Sequence, residues 1–326
     1  SAQGQIAGKN ITITATQLDN TAGEISAEQV LTLKGLSQVW NRQGGRMLSG
    51  SALLLQADMI DNQASVLASE GWLSLIASQL INRQHGGIAA NQTLDIQAQH
   101  IDNHNQSQIY SQQAGVELKT DTFSNHDGLI QARADLNLEI AGHASNQEGR
   151  LLSEQGAVTL QATTLDNHAG VLASLLGQLK VVVQGLFGNQ SGTVQGRSVV
   201  VQAAELANQS GHMAATAGDF ALSTATLNNQ GGGLYAHQHL ALAADMLDNS
   251  NHGQIAGQTL DFSLSGSLNN QSGLIEAETL QLHSATLDNR GGRLRALGTA
   301  GRSRIVSERG LDNRNGLIEI ANQHFT

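Results

Sequence analysis

An asparagine recurs at a nearly constant interval along the whole chain, preceded two positions earlier by an apolar residue and followed by a glycine-rich turn. The fifteen copies are Asn20, Asn41, Asn62, Asn82, Asn103, Asn125, Asn146, Asn167, Asn189, Asn208, Asn229, Asn249, Asn270, Asn289 and Asn313. Neighbouring copies are 19 to 24 residues apart, with a mean of about 21. A fixed period of this size indicates a stack of similar units, each too small to bury a core alone.

The residues between two asparagines show the period of a β-strand. In residues 274–289, LIEAETLQLHSATLDN, the apolar positions alternate at Ile275 and Ala277, then at Leu280 and Leu282. Such a period of two is typical of short strands with one buried face. The pattern therefore predicts an all-β fold, a right-handed parallel β-helix of about 15 coils with roughly 21 residues each.

A leucine-rich-repeat horseshoe is the alternative fold, because it also uses an asparagine in repeats of similar length. In that repeat the asparagine follows the paired leucines by about three residues, whereas Asn289 follows Leu282 by seven. The spacing favours the β-helix. We expect residues 1–326 to form a single repeat domain and, because the chain starts and stops within a coil, to be a fragment of a longer filament.

The turn residues suggest a structural role for the asparagines. Asparagine tolerates left-handed backbone angles, and its amide can bond to the backbone or to a stacked asparagine. A glycine stands three residues later in eleven of the fifteen copies, where we expect it to supply a positive φ. We therefore predict a structural column without chemistry that includes Asn20, Asn62, Asn103, Asn167, Asn229, Asn249, Asn289 and Asn313.

Composition narrows the possible functions. The chain has no cysteine, which argues against disulfides, redox motifs and the common zinc sites. Its net charge of -10 argues against nucleic-acid binding, and it lacks an apolar run long enough to insert into a membrane. The G-G-x-G-x-D calcium repeat is absent as well, so the sequence predicts neither a cofactor nor a metal.

Several copies of the motif resemble a known repeat. The segments LDNTAGEI, LDNHAGVL, LDNRGGRL and LDNRNGLI resemble the haemagglutinin repeats of filamentous haemagglutinin and of other two-partner-secretion exoproteins, including contact-dependent growth inhibition toxins. The resemblance covers nearly the whole chain. It implies a β-helical filament that an outer-membrane transporter exports and that is secreted from, or displayed on, a Gram-negative cell. The filament would serve as an adhesin or as a stick that presents receptor-binding or toxin regions.

Two other functions remain open. A β-helical carbohydrate-active enzyme, a lyase or a hydrolase, would need paired carboxylates and a groove with aromatic platforms. The larger aromatic side chains, Trp40, Trp72, Tyr110 and Tyr235, fall in different coils, so we expect no enzymatic activity. The second alternative is a dedicated receptor-binding segment.

The segment from residue 290 to residue 314 is the best candidate for a binding site. It contains seven arginines and two acids, a net charge of +5 on an acidic chain. It also spans the longest interval, 24 residues, so we expect a loop or a distorted coil around LGTAGRSRIVSERG. Arginine suits carboxylate, sulfate and phosphate groups on a host or bacterial receptor or an anionic glycan. The alternative is that the arginines are solvated or paired with acids on adjacent coils. The predicted contact residues are Arg290, Arg293, Arg295, Arg302, Arg304 and Arg309, with Arg314 beside them.

Overall fold

The computed structural model describes residues 4–325, and all regular secondary structure within that range is β-strand. The chain divides into two compact units, residues 4–163 and residues 164–325. Together they contain about 15 coils of about 21 residues, so the predicted parallel β-solenoid is confirmed and the horseshoe is excluded.

The first unit contains strands β1 to β16. Their bounds are β1 Gln5–Thr14, β2 Gln17–Asp19, β3 Glu24–Trp40, β4 Arg46–Ser49, β5 Ala52–Asp61, β6 Val66–Ser69, β7 Trp72–Asn82, β8 Gly87–Ala90, β9 Leu94–Asn103, β10 Gln108–Ser111, β11 Val116–Ser124, β12 Leu129–Ala132, β13 Leu136–Ile140, β14 His143–Ser145, β15 Arg150–Ser153 and β16 Val158–Ala162.

The second unit contains strands β17 to β36. Their bounds are β17 Thr164–Asp166, β18 Val171–Ser174, β19 Gln178–Val183, β20 Leu186–Gly188, β21 Thr193–Gly196, β22 Ser198–Gln202, β23 Glu205–Ala207, β24 His212–Ala215, β25 Phe220–Ser223, β26 Thr226–Asn228, β27 Gly233–Ala236, β28 His239–Ala244, β29 Met246–Asp248, β30 Gln254–Leu264, β31 Ser267–Asn269, β32 Leu274–Asp288, β33 Arg293–Ala296, β34 Arg302–Asp312, β35 Leu317–Ile320 and β36 His324–Phe325.

In the first unit, parallel pairing stacks equivalent residues of successive coils. One inward column runs through eight coils as Ile11, Leu31, Leu53, Leu73, Leu94, Val116, Leu136 and Val158. Every member of the column is buried. The side chains between them point outward and are polar or small at most positions, which is the alternation that the sequence predicts.

The second unit has the same arrangement, and its core contains more aromatic side chains. Its inward column contains Leu179, Val199, Phe220, Leu240, Leu260 and Leu280. Three of its phenylalanines, Phe187, Phe220 and Phe262, are at most 1% exposed. Burying each such side chain contributes about 1.5–3 kcal/mol, so a core poor in aromatic residues is still stabilised in every coil.

The backbone of the corners differs from the expectation. Neither Asn20 nor Gly23 has a positive φ; Ala22, between them, has φ 54°. The same position carries the left-handed residue in other copies, such as Asp127 at 51° and Ser272 at 57°. The prediction that asparagine or the following glycine supplies the positive φ is therefore wrong for these corners.

Steric crowding explains the glycine instead. A Cβ added at Gly23 would lie 2.6 Å from Oδ1 of Asn20, and one added at Gly128 would lie 2.5 Å from Oδ1 of Asn125. A real Cβ does not approach another heavy atom so closely. Glycine is needed here because the asparagine side chain folds back over the turn and because, at Gly128, the carbonyl oxygen of Asn103 in the preceding coil would lie only 2.1 Å from a Cβ.

The additional residues of the long interval between Asn289 and Asn313 are accommodated in two places. Five residues, 297–301, form the turn between β33 and β34, where the preceding coil has only Glu278. A further residue enters a β-bulge, because Glu308 and Arg309 lie opposite the single residue Ala285. The segment is thus a distorted coil in which β34 remains a strand.

Candidate functional site

The asparagines form a ladder of hydrogen bonds along each unit. In the first unit, Nδ2 of each asparagine donates to Oδ1 of the asparagine in the next coil. The donor–acceptor distances are 2.7–2.8 Å along Asn20, Asn41, Asn62, Asn82, Asn103, Asn125 and Asn146. In the second unit the ladder runs at 2.6–2.8 Å through Asn167, Asn189, Asn208, Asn229, Asn249, Asn270, Asn289 and Asn313.

Most ladder amides also donate to the backbone of their own corner. Nδ2 of Asn20 donates to the carbonyl oxygen of Gly23 at 3.2 Å and to that of Arg46 in the next coil at 3.1 Å. Asn103 is fully buried, so losing such bonds would leave polar groups without water to replace them. The ladder thus ties the corners of neighbouring coils together.

Outside the ladder, polar side chains pair diagonally between coils. In several coils, the residue after an asparagine donates to the residue before the next asparagine. Nε of Arg42 donates to Asp61 at 2.6 Å, and Nε of Arg83 donates to Asp102 at 2.5 Å. In the second unit, Nε2 of Gln230 reaches Asp248 at 2.6 Å. These pairs neutralise or satisfy acids that the sequence places beside the asparagine column.

One diagonal pair contains a histidine. Nε2 of His104 lies within hydrogen-bond distance of the Ser124 hydroxyl, and Nδ1 lies 3.4 Å from Oδ1 of Asp102. The ring of His126 packs edge-on at a centroid distance of 5.8 Å. Burial is the main cause that lowers the pKa of His104; the negative charge of Asp102 opposes this shift, and the positive charge of Arg83 adds to it. Neutral His104 therefore prevails at neutral pH.

The arrangement around His104 does not form a metal centre. Among residues 4–325, no group of three or more histidine, aspartate or glutamate side chains is placed to hold a metal ion. Although Ser124, His104 and Asp102 lie next to one another, Oδ1 of Asp102 accepts no hydrogen bond from the described residues. The orienting bond of a Ser-His-Asp triad is therefore missing.

Three arginines of the predicted contact set, including the neighbouring Arg314, are paired with acids. Arg290 and Arg314 pair with Asp288 and Asp312 at 2.7 and 2.6 Å. Arg295 bridges Glu276 at 2.6 Å and Glu319 at 2.9 Å, one coil on either side. The bond from Arg314 lowers the pKa of Asp312 to about 2. The charge of this subset is therefore balanced within the unit.

The other four arginines have no such partner. Arg293, Arg302, Arg304 and Arg309 are exposed, and none of them forms an ion pair within the part of the chain that the structure describes. Arg302 and Arg304 lie two residues apart on β34, so both point outward from the same strand. We call these four residues the free arginine surface.

The repeating coils with their internal asparagine ladder define the class of protein, a parallel β-solenoid in which each repeat forms one coil. The family model described as haemagglutinin repeat matches residues 6–117 and 255–315, more than half of the chain. The chain belongs to this family. A search of curated proteins and a search of solved structures give no match.

Membership of this family supports only a general statement about function. The haemagglutinin repeat is a structural repeat of filament and adhesin-type proteins and is not known as an enzymatic one. Proteins that contain it are associated with secretion and with the cell surface. None of residues 4–325 belongs to a helix with the length and apolarity that a membrane span requires.

Proposed function

We propose that this chain is a structural segment of a secreted or surface-displayed bacterial exoprotein, which separates and presents binding or toxin regions. The observation that supports the proposal most directly is the regularity of the coils. A buried asparagine and inward apolar positions recur in successive coils of each unit, whereas an enzyme concentrates its specialised residues in one place. Export through a two-partner-secretion transporter and display on a Gram-negative cell are part of this proposal.

Removal of one complete coil tests the spacer role. Deleting residues 209–229 joins Asn208 to Gln230 and restores both the ladder and the inward columns. A spacer in the full-length exoprotein should remain folded, exported and active in adhesion or toxin delivery. Deleting only residues 209–218 removes half a coil and should abolish folding. Loss of activity with retained folding in the complete-coil deletion would contradict a spacer.

Export is tested separately in the producing bacterium. Antibodies against this segment should label intact cells or the culture medium, and inactivation of the partner transporter gene should remove that signal while whole-cell lysates retain the protein. Unchanged labelling without the transporter would contradict the proposed route.

The free arginine surface supports a second candidate function, contact with an anionic receptor or glycan. None of its four guanidinium groups is paired with an acid of the described residues. An anionic partner could therefore bind them in place of solvent. The relevant variant changes Arg293, Arg302, Arg304 and Arg309 to alanine. A charge-matched control changes the exposed residues Lys9, Lys34, Arg150 and Arg197.

The two variants should differ in binding to immobilised heparin across a salt series. Wild type and the control should elute at similar salt concentrations, and the arginine variant should elute clearly earlier because site-specific charge pairs are lost. Equal elution of both variants would show that net charge alone governs retention, which would contradict a dedicated contact surface.

A further inference from the structure

A recess on the first unit lies beside an exposed tryptophan. The indole of Trp72 forms one side of it, and it is otherwise lined by Leu73, Ser74, Gln92, Thr93 and Asp95. Trp72 is 43% exposed, although it begins strand β7 of a regular coil. Parallel register places Asp95 directly opposite Ser74, while Leu94 lies opposite Leu73. Residues from two neighbouring coils therefore line a single site.

The polar side chains of this recess are not used by the fold. Within residues 4–325, the side chains of Ser74, Gln92, Thr93 and Asp95 make no hydrogen bond or ion pair with the protein. In the next coil, by contrast, the carboxylate of Glu117 accepts a hydrogen bond from Nδ2 of Asn137 at 2.7 Å. An aromatic face thus lies beside two hydroxyls, an amide and a carboxylate that are all available to a ligand.

We propose that the Trp72 recess binds the pyranose ring of a neutral glycan. A pyranose presents a face of C–H groups that can pack on the indole, and its hydroxyls need both donors and acceptors around the ring edge. The carboxylate of Asp95 accepts strong, charge-assisted hydrogen bonds from hydroxyls, while Gln92 supplies an amide donor. A recess of about 430 Å³ has room for one or two sugar rings.

The charges around the recess set its selectivity. Asp95 is register-paired with Glu117 in the next coil, so two carboxylates occupy adjacent positions, and no side chain of the described residues forms an ion pair with either. The nearby Lys119 already pairs with Glu139 at 3.2 Å. A sulfated or carboxylated sugar would meet like charge here, which disfavours its binding. The ligand preference is therefore opposite to that of the free arginine surface, and either proposal can fail without the other.

Fluorescence of Trp72 provides a direct readout once Trp40 is changed to phenylalanine, because the chain has only two tryptophans. The W40F protein would be titrated separately with cellohexaose, chitohexaose and a heparin hexasaccharide. We expect saturable binding of at least one neutral hexasaccharide with a dissociation constant of roughly 1 mM, as for a single shallow site. We expect no saturable change with the heparin fragment.

Three further variants distinguish stacking of the sugar on the indole from nonspecific apolar binding. Binding would be measured by calorimetry in the otherwise wild-type chain. Trp72→Ala should weaken binding at least about tenfold, and Trp72→Tyr should retain most of it because a ring remains. Ile76→Ala removes another exposed apolar side chain, one that does not line the recess, and should change binding less than about twofold.

Other outcomes would overturn the proposal. These are the absence of binding by both neutral sugars at 10 times the expected constant, equal binding by wild type and Trp72→Ala, or an Ile76→Ala loss as large as that of Trp72→Ala. The last result would indicate an apolar docking face for a protein partner. Circular dichroism of each variant, with the β-spectrum of the wild type, establishes that any loss is local.

Discussion

The side-chain amide of Asn103 donates to the side-chain oxygen of Asn125 at 2.7 Å, and both residues are fully buried. Each therefore depends on the other coil for a hydrogen bond that water cannot replace. This relationship makes the ladder a measurable contribution to stability, because truncation of one asparagine affects groups in three consecutive coils.

Asn103→Ala should destabilise the protein by about 1–3 kcal/mol, because Oδ1 of Asn125 loses its donor and Nδ2 of Asn82 loses its acceptor. Urea denaturation followed by circular dichroism would measure the change. Asn91→Ala is the matched control, since that side chain makes no hydrogen bond with the described residues, and it should change stability by less than about 0.5 kcal/mol. Equal effects would argue against a stabilising ladder.

Substitutions at two glycines distinguish steric crowding from the cost of a positive backbone φ. Gly128→Ala introduces a Cβ 2.5 Å from Oδ1 of Asn125, and closer still to the carbonyl oxygen of Asn103, so we expect a loss of about 3 kcal/mol or more. Gly44→Ala meets no atom within 4 Å but must adopt a φ of 84°, which should cost about 1–2 kcal/mol. A larger loss at Gly44 in thermal or urea unfolding would restore the backbone-angle explanation.

Two arginines in one coil should differ in importance. Arg42 pairs with the carboxylate of Asp61, whose side chain is 1% exposed, whereas Arg46 lies 3.7 Å from the exposed Glu24. Arg42→Ala should therefore cost about 2–3 kcal/mol, and Arg46→Ala at most about 1 kcal/mol. Denaturation midpoints measured at low and high salt would test this ranking. A stronger salt dependence for the Arg42 pair than for the Arg46 pair would contradict its burial.

His104 should make the first unit sensitive to mild acid. Its pKa in the folded chain lies below the ordinary value of 6.5, so the unfolded chain binds the proton more readily. The stability that neutral His104 provides is thus present above pH 6.5 and is lost as the pH falls through the folded pKa. Urea midpoints between pH 5 and 8 should decline less steeply toward acid for His104→Gln than for wild type. Parallel pH curves would exclude this contribution.

Core truncation should have a larger effect than the loss of an outward side chain. Leu160 and Leu282 are 0% and 2% exposed, and changing either to alanine should cost about 2–5 kcal/mol. Gln190 is partly exposed, and its side chain makes no hydrogen bond with any of residues 4–325, so Gln190→Ala should have almost no effect. A higher sensitivity at Gln190 in urea unfolding would reverse the assignment of inward and outward positions.

The fold could be predicted because one period determines it. Once the interval of about 21 residues is known, Leu31, Leu53 and Leu73 must stack, and the alternation within each strand selects their inward face. The geometry of the corner could not be predicted in the same way. The sequence shows a glycine at position 23, but it does not show which atom a Cβ at that position would contact. The left-handed residue, Ala22, carries no compositional signal at all.

The surface sites were only partly predictable. Counting charges located the arginines, but the pairing of Arg295 with Glu276 and Glu319 depends on register between three coils. The Trp72 recess is hidden in the sequence because its lining comes from two coils. Thr93 and Asp95 lie one period after Trp72 and Ser74, and only the register of the strands brings them beside the indole.

The ladder has a kinetic consequence. Each new coil closes onto the one before it through contacts about 21 residues apart, such as Asn103 with Asn125, and within a unit this separation does not increase as coils are added. The entropy lost in closing a coil is therefore nearly the same at every step. Growth of a unit by successive coils should proceed at a constant rate, and the time to complete it should increase only in proportion to its number of coils.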